Sequence, residues 1–382
     1  MSGLKSIKQK ATSFAAALLI FAPALWAQDV ETWSIGPFTR PAAGNPVIAP
    51  RIQSTFVDPI LKTPAHWEAL HTFNPAAIVR DGKIYVLYRA EDDSGAMEIG
   101  GHTSRLGLAE SADGIHFTRR PEPVFFPAED SQQARESPGG VEDPRLVEGE
   151  DGAYVLTYTQ WNRKIFSVGI ATSPDLIHWT KQGPAFLTAA GGKYAHLRYK
   201  SAGIVTRLDK TKGRLIAAKI NGTYWMYWGE GAIHLATSND LIHWTPLESE
   251  KGTPIELLRS RPGHFDSTFP ETGPPPVLTP NGIVVLYNGK NATGDAVTGP
   301  GDPDLGPDAY AVGEALFDAS APTHLLDQLE HPVLKPEMPW EKTGQYIAGT
   351  TFGEGLVAFH GQWFLYYGCA DSLVAVVTAP LP

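Results

Sequence analysis

The 382-residue chain carries a formal charge of −10, and its 38 Gly and 32 Pro together make roughly 18% of it, against about 12% in average usage. That acidity excludes a nucleic-acid partner, because displacing condensed counterions from a polyanion needs a basic footprint; neutral sugars remain compatible. Ten Trp, thirteen Tyr and sixteen Phe among so many turn formers predict short strands over a large aromatic core, and the lone Cys369 excludes an internal disulfide.

Residues 1–27 read as an export signal: Lys5, Lys8 and Lys10 precede an apolar run from about Ala15 to Leu25, with cleavage expected near Ala27. The run is short for a membrane span. The mature chain, 28–382, is therefore expected to be one soluble domain, periplasmic or secreted, with no membrane partner after cleavage. Residues 28–70 are irregular and Pro-containing, suited to covering a sheet edge or closing a ring.

Five segments then repeat one pattern, a tight turn followed by an aromatic-rich strand. They are Asp81-Gly82 before KIYVLYRAED, Asp151-Gly152 before AYVLTYTQW, Asn221-Gly222 before TYWMYWGEG, Asn281-Gly282 before IVVLYNGKN and His360-Gly361 before QWFLYYGCAD. Asp-Gly and Asn-Gly favour the positive backbone angles of two-residue hairpins. A second unit follows three of them, ending at Phe117, Trp179 and Trp244, and its period-2 alternation reads as an outer hairpin. Five units of this kind predict an all-β, five-bladed β-propeller. The stretch from Gly294 to Asp308 reads as a loop beside the mouth of the site.

In such an architecture the residues just before each repeat converge on a central funnel. Here they are Asn74 in FNPAAIV, Glu142 and Asp143 in GVEDPRLV, Lys200 in YKSAGIV, Glu271 in FPETGPPPV and Glu354 in TFGEGLV. Charge at the start of strands that enter an apolar core predicts a polar axial pocket. At the other ends of the aromatic strands stand Arg89, Glu91, Asp92, Trp161, Arg163, Glu230, Asn288, Lys290 and Asp371, some of them solvated loop residues. Glycoside hydrolysis needs one carboxyl to protonate the leaving oxygen and, with inversion, a second to activate water; this set supplies both. Aromatic faces and Arg or Lys can hold sugar rings and hydroxyls.

In the order FNPAAIV, VLYRAED, GGVEDPRL, TQWNRK, KSAGIV, NGTYWMYWGE, ETGPPPV, VLYNGKN and YYGCAD, nearly the whole mature chain resembles glycoside hydrolase family 130, which contains β-mannoside phosphorylases and β-1,2-mannosidases on five-bladed propellers. The resemblance implies that Asp143 is the proton donor, acting through a hydroxyl of the bound mannose, and that Asn74, Arg89 and Asp371 contact the nonreducing mannose. Asp92, Arg163 and Lys200 complete the candidate substrate contacts. It also likens Glu230 and Glu271 to the two glutamates of the hydrolytic subgroup. Carboxylates repel phosphate and can take a proton from water, so the expected activity is an exo-acting, inverting β-mannosidase for β-1,2-linked mannooligosaccharides, with the choice of base between the two open.

Arg163, Lys164, Arg198 and Lys200 keep phosphorolysis as an alternative; a hydrolase of arabinose or fructose polymers and a noncatalytic sugar-binding propeller are the others. No cofactor is expected. No His/Cys spacing suggests a metal site, and His116, His178 and His243, at equivalent outer-hairpin positions, read as structural.

Overall fold

The computed structural model describes residues 31–295 and 299–381, so the export signal expected at 1–27 lies outside them. Thr32–Pro382 forms one unit. Helical structure among the described residues is confined to Gln133–Glu136 and two short 3-10 segments, and none of these is long and apolar enough to cross a membrane. Everything else of regular form is strand, in several largely antiparallel sheets.

Turn chemistry explains the hairpins. Asp81-Gly82, Asn221-Gly222 and His360-Gly361 each place two successive residues at positive φ, the backbone that matches the right-handed twist of flanking strands. In the other two turns only the glycine is left-handed, Gly152 at φ 85° and Gly282 at φ 141°. Strands run antiparallel from each turn: His71–Arg80, Lys83–Glu91, Ser104–Ser111 and Thr118–Arg119 form the first meander, and Gly140–Glu148, Tyr154–Trp161, Phe166–Ser173 and Thr180–Pro184 the second. A single parallel pair, Ser104 with Gly140, joins these two into one sheet.

The outer hairpins owe their repetition to a shared turn. In each, an aspartate oxygen accepts the backbone N–H groups two and three residues on, and its other oxygen meets the histidine: Asp113 with His116, Asp175 with His178, Asp240 with His243. Such side-chain mimicry of backbone fixes a tight turn. The three histidines are exposed turn braces.

Alternation along each strand feeds two faces. In the innermost strand of the first meander, Ala76 and Ile78 enter one apolar cluster with Leu146 and Leu156 of the second meander, while Ala77 and Val79 enter another with Val357 and Phe364. The same rule gives a cluster between Val155 and Met226, one between Tyr227 and Val285, and one between Leu286 and Leu365. Among the described residues there are five such apolar clusters, and the one holding Val357 and Phe364 sets the last strands against the first. Thr206–Asp209 and Arg214–Ala217 depart from the repeat: this hairpin pairs in parallel with Val277–Thr279 of the following sheet.

Among the described residues the last group has three strands of its own, Thr351–Phe359, Gln362–Cys369 and Leu373–Pro380. Its outer edge is covered by the N-terminal segment, where Thr39 bridges Thr378 and Ile48 bridges Val374. The Asn45 side chain brackets Val376 through both its amide groups. Covering an edge in this way removes an open row of backbone donors and acceptors, as the irregular 28–70 stretch led us to expect.

Candidate active site

The innermost strands do not enter the centre as regular ladder. Register slips occur between Phe73 and Pro75, between Glu142 and Arg145, and between Gly353 and Gly355. Each slip leaves one or two residues outside the pairing, and these are Asn74, Asp143 with Pro144, and Glu354. A bulge re-aims the side chain it carries, and Pro75 and Pro144 have no N–H to lose there. Asn74, Asp143, Ser201 and Asp371 all sit at positive φ, between 45° and 57°. Non-glycine residues there cost of order 1 kcal/mol or more and cluster where side-chain direction matters.

These side chains meet around a cavity of about 300 Å³ whose wall includes Asn74, Arg89, Glu142, Asp143, Lys200, Glu230, Glu271 and Asp371. A larger hollow of about 640 Å³ lies elsewhere, between the Arg120–Phe126 segment and Trp179, and holds none of these groups. Seven of the nine predicted site residues thus share one cavity. The other two do not line it. Asp92 is buried and bonded to Arg105 Nη1 (2.7 Å), Ser94 Oγ (2.6 Å) and the Thr103 N–H, closing the ends of a loop whose Ile99 and Gly100 do reach the wall. Arg163 stands in the turn after Trp161 at φ 63°, packed against Gly95 of the same loop.

Arg89 organises one side. Its Nη1 donates to Asp143 Oδ1 (3.0 Å) and its Nη2 faces Glu91 Oε1 (2.6 Å) and Glu142 Oε1 (2.9 Å). The guanidinium also lies 4.5 Å from the centre of the Phe73 ring, a cation–π contact. Asn74 Nδ2 donates to the same Asp143 oxygen at 2.8 Å. Burial acts upward on the Asp143 carboxyl, but Arg89, Lys200, Arg145 and the Asn74 amide hold it down at about 2. Burial carries Glu142 the other way, up to about 7, against the pull of Arg89 and with Asp143 adding to it. Between those two values the neighbouring carboxyls hold one proton between them. Asp371 is likewise pushed to about 7 by burial, opposed by Arg89.

Lys200 organises the opposite side. Its ammonium lies 3.2 Å from Glu230 Oε1 and 3.6 Å from Glu271 Oε1, and the two glutamates are themselves joined by an isolated antiparallel backbone bridge. Glu271 also accepts the Ser201 hydroxyl. Burial pushes Glu271 up to about 7, with Lys200 opposing and Glu230 adding. Beneath the floor, Arg145 ties the chain together, donating to the Thr272 and Gly273 carbonyls and facing Glu354 Oε1 at 2.9 Å.

An aromatic wall completes the cavity. Tyr310 meets Tyr346 and Phe352 edge-on at 5.5 and 5.7 Å, and Trp161 and Phe166 stand at the mouth. Tyr310 and Tyr346 were not among the residues singled out from sequence; they lie outside the five repeat units, and only folding brings them here. Burial pushes the Tyr310 hydroxyl well above its usual range, so it remains a donor beside Glu271. The site therefore offers a polar, acid-rich hollow of monosaccharide size with carboxyls in different protonation states.

The model of glycoside hydrolase family 130, described as beta-1,4-mannooligosaccharide phosphorylase, matches residues 47–381. A 1,2-beta-oligomannan phosphorylase from Thermoanaerobacter sp. (strain X514) is 29% identical over 82% of this chain and 92% of its own length. Among solved structures, a glycosyl hydrolase from Bacteroides ovatus is 48% identical with a TM-score of 0.87, covering 92% of this chain and 99% of that one. Another, 49% identical with a TM-score of 0.88 over 91% of this chain and 95% of that one, is described by the statement that the GH130 family of mannoside phosphorylases contains glycoside hydrolases that target beta-1,2 mannosidic linkages in Candida mannan.

Proposed function

This chain belongs to glycoside hydrolase family 130, and from that premise we propose that it is an exo-acting, inverting β-mannosidase that hydrolyses β-1,2-linked mannooligosaccharides. The observation that carries hydrolysis over phosphorolysis is the state of the cations. Among the described residues, the only Arg and Lys lining the cavity are Arg89 and Lys200, and each is already engaged by two or more carboxylates. An entering phosphate would meet Glu230 and Glu271 at Lys200, and like charges in a buried site repel strongly.

In the proposed reaction Asn74, Arg89 and Asp371 hold the nonreducing mannose. Asp143 delivers a proton to the leaving oxygen through a hydroxyl of that sugar, with Glu142 beside it the carboxyl that burial keeps protonated into the neutral range. Glu271 or Glu230 takes a proton from the attacking water on the other face, and a carboxyl near 7 suits a general base at neutral pH. Lys200 and the Ser201 hydroxyl orient Glu271. The reading also includes a five-bladed propeller, supported by the five apolar clusters among the described residues, and export directed by residues 1–27.

The phosphorylases among the curated relatives make phosphorolysis the second reading. Incubation with linkage-defined mannobioses, with and without inorganic phosphate, separates the two. Hydrolysis predicts mannose as the only product, α-configured at first release and at a rate indifferent to phosphate. Phosphate-dependent formation of mannose 1-phosphate would overturn the proposal.

A further inference from the structure

Next to the Arg89 network lies a group of side chains that the proposed reaction does not use. His71 and Glu91 are directly opposed partners on adjacent strands, and Glu91 pairs on its other side with Ser104, two residues beyond His102. Backbone pairing thus brings two imidazoles and one carboxylate together, with one ligand atom from each lying within 4.8 Å of the others. Glu91 and His102 are buried, and His71 is half-buried.

The hydrogen bonds determine what these groups present. His102 Nδ1 lies 2.8 Å from the Ser94 carbonyl oxygen. A carbonyl only accepts, so the proton sits on Nδ1 and the Nε2 of the neutral ring carries a bare lone pair. His71 Nδ1 lies 2.9 Å from Ser372 Oγ, a hydroxyl that can donate or accept, and in the tautomer in which it accepts, Nε2 carries the lone pair. Neither Nε2 makes a hydrogen bond among the described residues. Glu91 Oε1 receives Arg89 Nη2 at 2.6 Å and, at 3.5 Å, the Ser104 hydroxyl, while Oε2 receives only Gln345 Nε2 at 3.1 Å among the described residues, which leaves a lone pair on Oε2.

We propose that His71, Glu91 and His102 bind one divalent transition-metal ion of the zinc class. Two imidazoles and a carboxylate are a donor set suited to such ions. The Nδ1 contacts to Ser94 and Ser372 are the outer hydrogen bonds that orient ligating histidines. Zinc–nitrogen distances put ligand atoms about 3.4 Å apart, so closure asks for a movement of about 1 Å by side chains. The charge balance admits a cation: Arg89 is the one guanidinium facing three carboxylates, Glu91, Glu142 and Asp143. Among the described residues no other three such side chains come this close together, the exposed histidines of the outer hairpins included. An ion here would fasten the loop that contributes Ile99 and Gly100 to the cavity, and would fix Glu91 against Arg89. It is a positioning site, independent of whether the enzyme hydrolyses or phosphorolyses its substrate.

The test needs no substrate. Chelator-stripped protein is dialysed against Zn²⁺, with Mg²⁺ as the hard-cation control, and bound metal is measured by elemental analysis. The expected result is one zinc per chain, no retained magnesium, and a raised unfolding midpoint that falls back when chelator is added. His71→Gln combined with His102→Gln keeps amide donors toward Ser94 and Ser372, and should lower zinc affinity at least about tenfold without changing the midpoint of the stripped protein. Zinc retained equally by the double variant, or no stoichiometric zinc on the wild type, overturns the proposal. Should the double variant fail to fold, imidazole NMR signals of the wild type provide the same decision: zinc must shift those of His71 and His102, and unchanged signals refute the site.

Discussion

Replacing Lys200 with Met keeps most of the side-chain volume and removes the ammonium between Glu230 and Glu271. That ammonium lies 3.6 Å from Glu271 Oε1, and a pair of unit charges about 4 Å apart is worth about 1 kcal/mol in water and about 4 kcal/mol at an effective dielectric of 20. Glu271 is 1% exposed while the Lys200 side chain is 27% exposed, so the interaction falls between these limits. At about 1.4 kcal/mol per pH unit this is a shift of about 1 to 3 units. Burial already pushes Glu271 up to about 7 with Lys200 opposing; losing the cation must move it further up. A general base works when ionised, so the rate rises with pH through its pKa. The wild-type acidic limb should therefore centre near 7 and that of Lys200→Met at about 8 to 10. Initial rates of mannose release from β-1,2-mannobiose, taken from about pH 5 to about pH 10 and expressed as kcat/KM, read this midpoint directly. A variant that loses rate with an unmoved midpoint would show that Glu271 is not the titrating base, and a downward shift would contradict the electrostatics altogether.

Asp143→Asn should lower kcat by about 10² to 10⁴, the usual contribution of a positioned proton donor, while isothermal titration still detects mannobiose binding; turnover within a few-fold of wild type would remove Asp143 from the reaction. Glu314 tests burial away from the site: its Oε2 accepts Ser34 Oγ and the Ile35 N–H, its Oε1 has no hydrogen-bond partner among the described residues, and burial pushes it up to about 8. Because the folded value is raised above about 4.3 in the unfolded chain, stability present at low pH is lost as pH climbs toward 8, by at most about 5 kcal/mol. Glu314→Gln should flatten that decline in urea midpoints measured between about pH 5 and pH 8, and parallel curves for the two proteins would refute it.

The five hairpins, their turns and the alternation that buries both faces of each strand are legible in the sequence because they depend on near neighbours. A Gly at a turn sets φ locally, and a two-residue period needs no knowledge of the partner. The same locality made the charged starts of the innermost strands visible, and with them Asn74, Asp143, Lys200 and Glu271. What the sequence did not contain is which of these charges touch. Arg89 meets Asp143, 54 positions away, only because the first two strand groups pack through Ile78 and Leu146. Asp92, three positions after Arg89, turns instead to Arg105. Tyr310 and Tyr346 join the wall from outside any repeat, and the pairing of His71 with Glu91 follows from strand register alone. Protonation belongs to the tertiary structure too: adjacent Glu142 and Asp143 differ as about 7 and about 2, because desolvation and the direction of Arg89 act on each carboxyl in space and not along the chain.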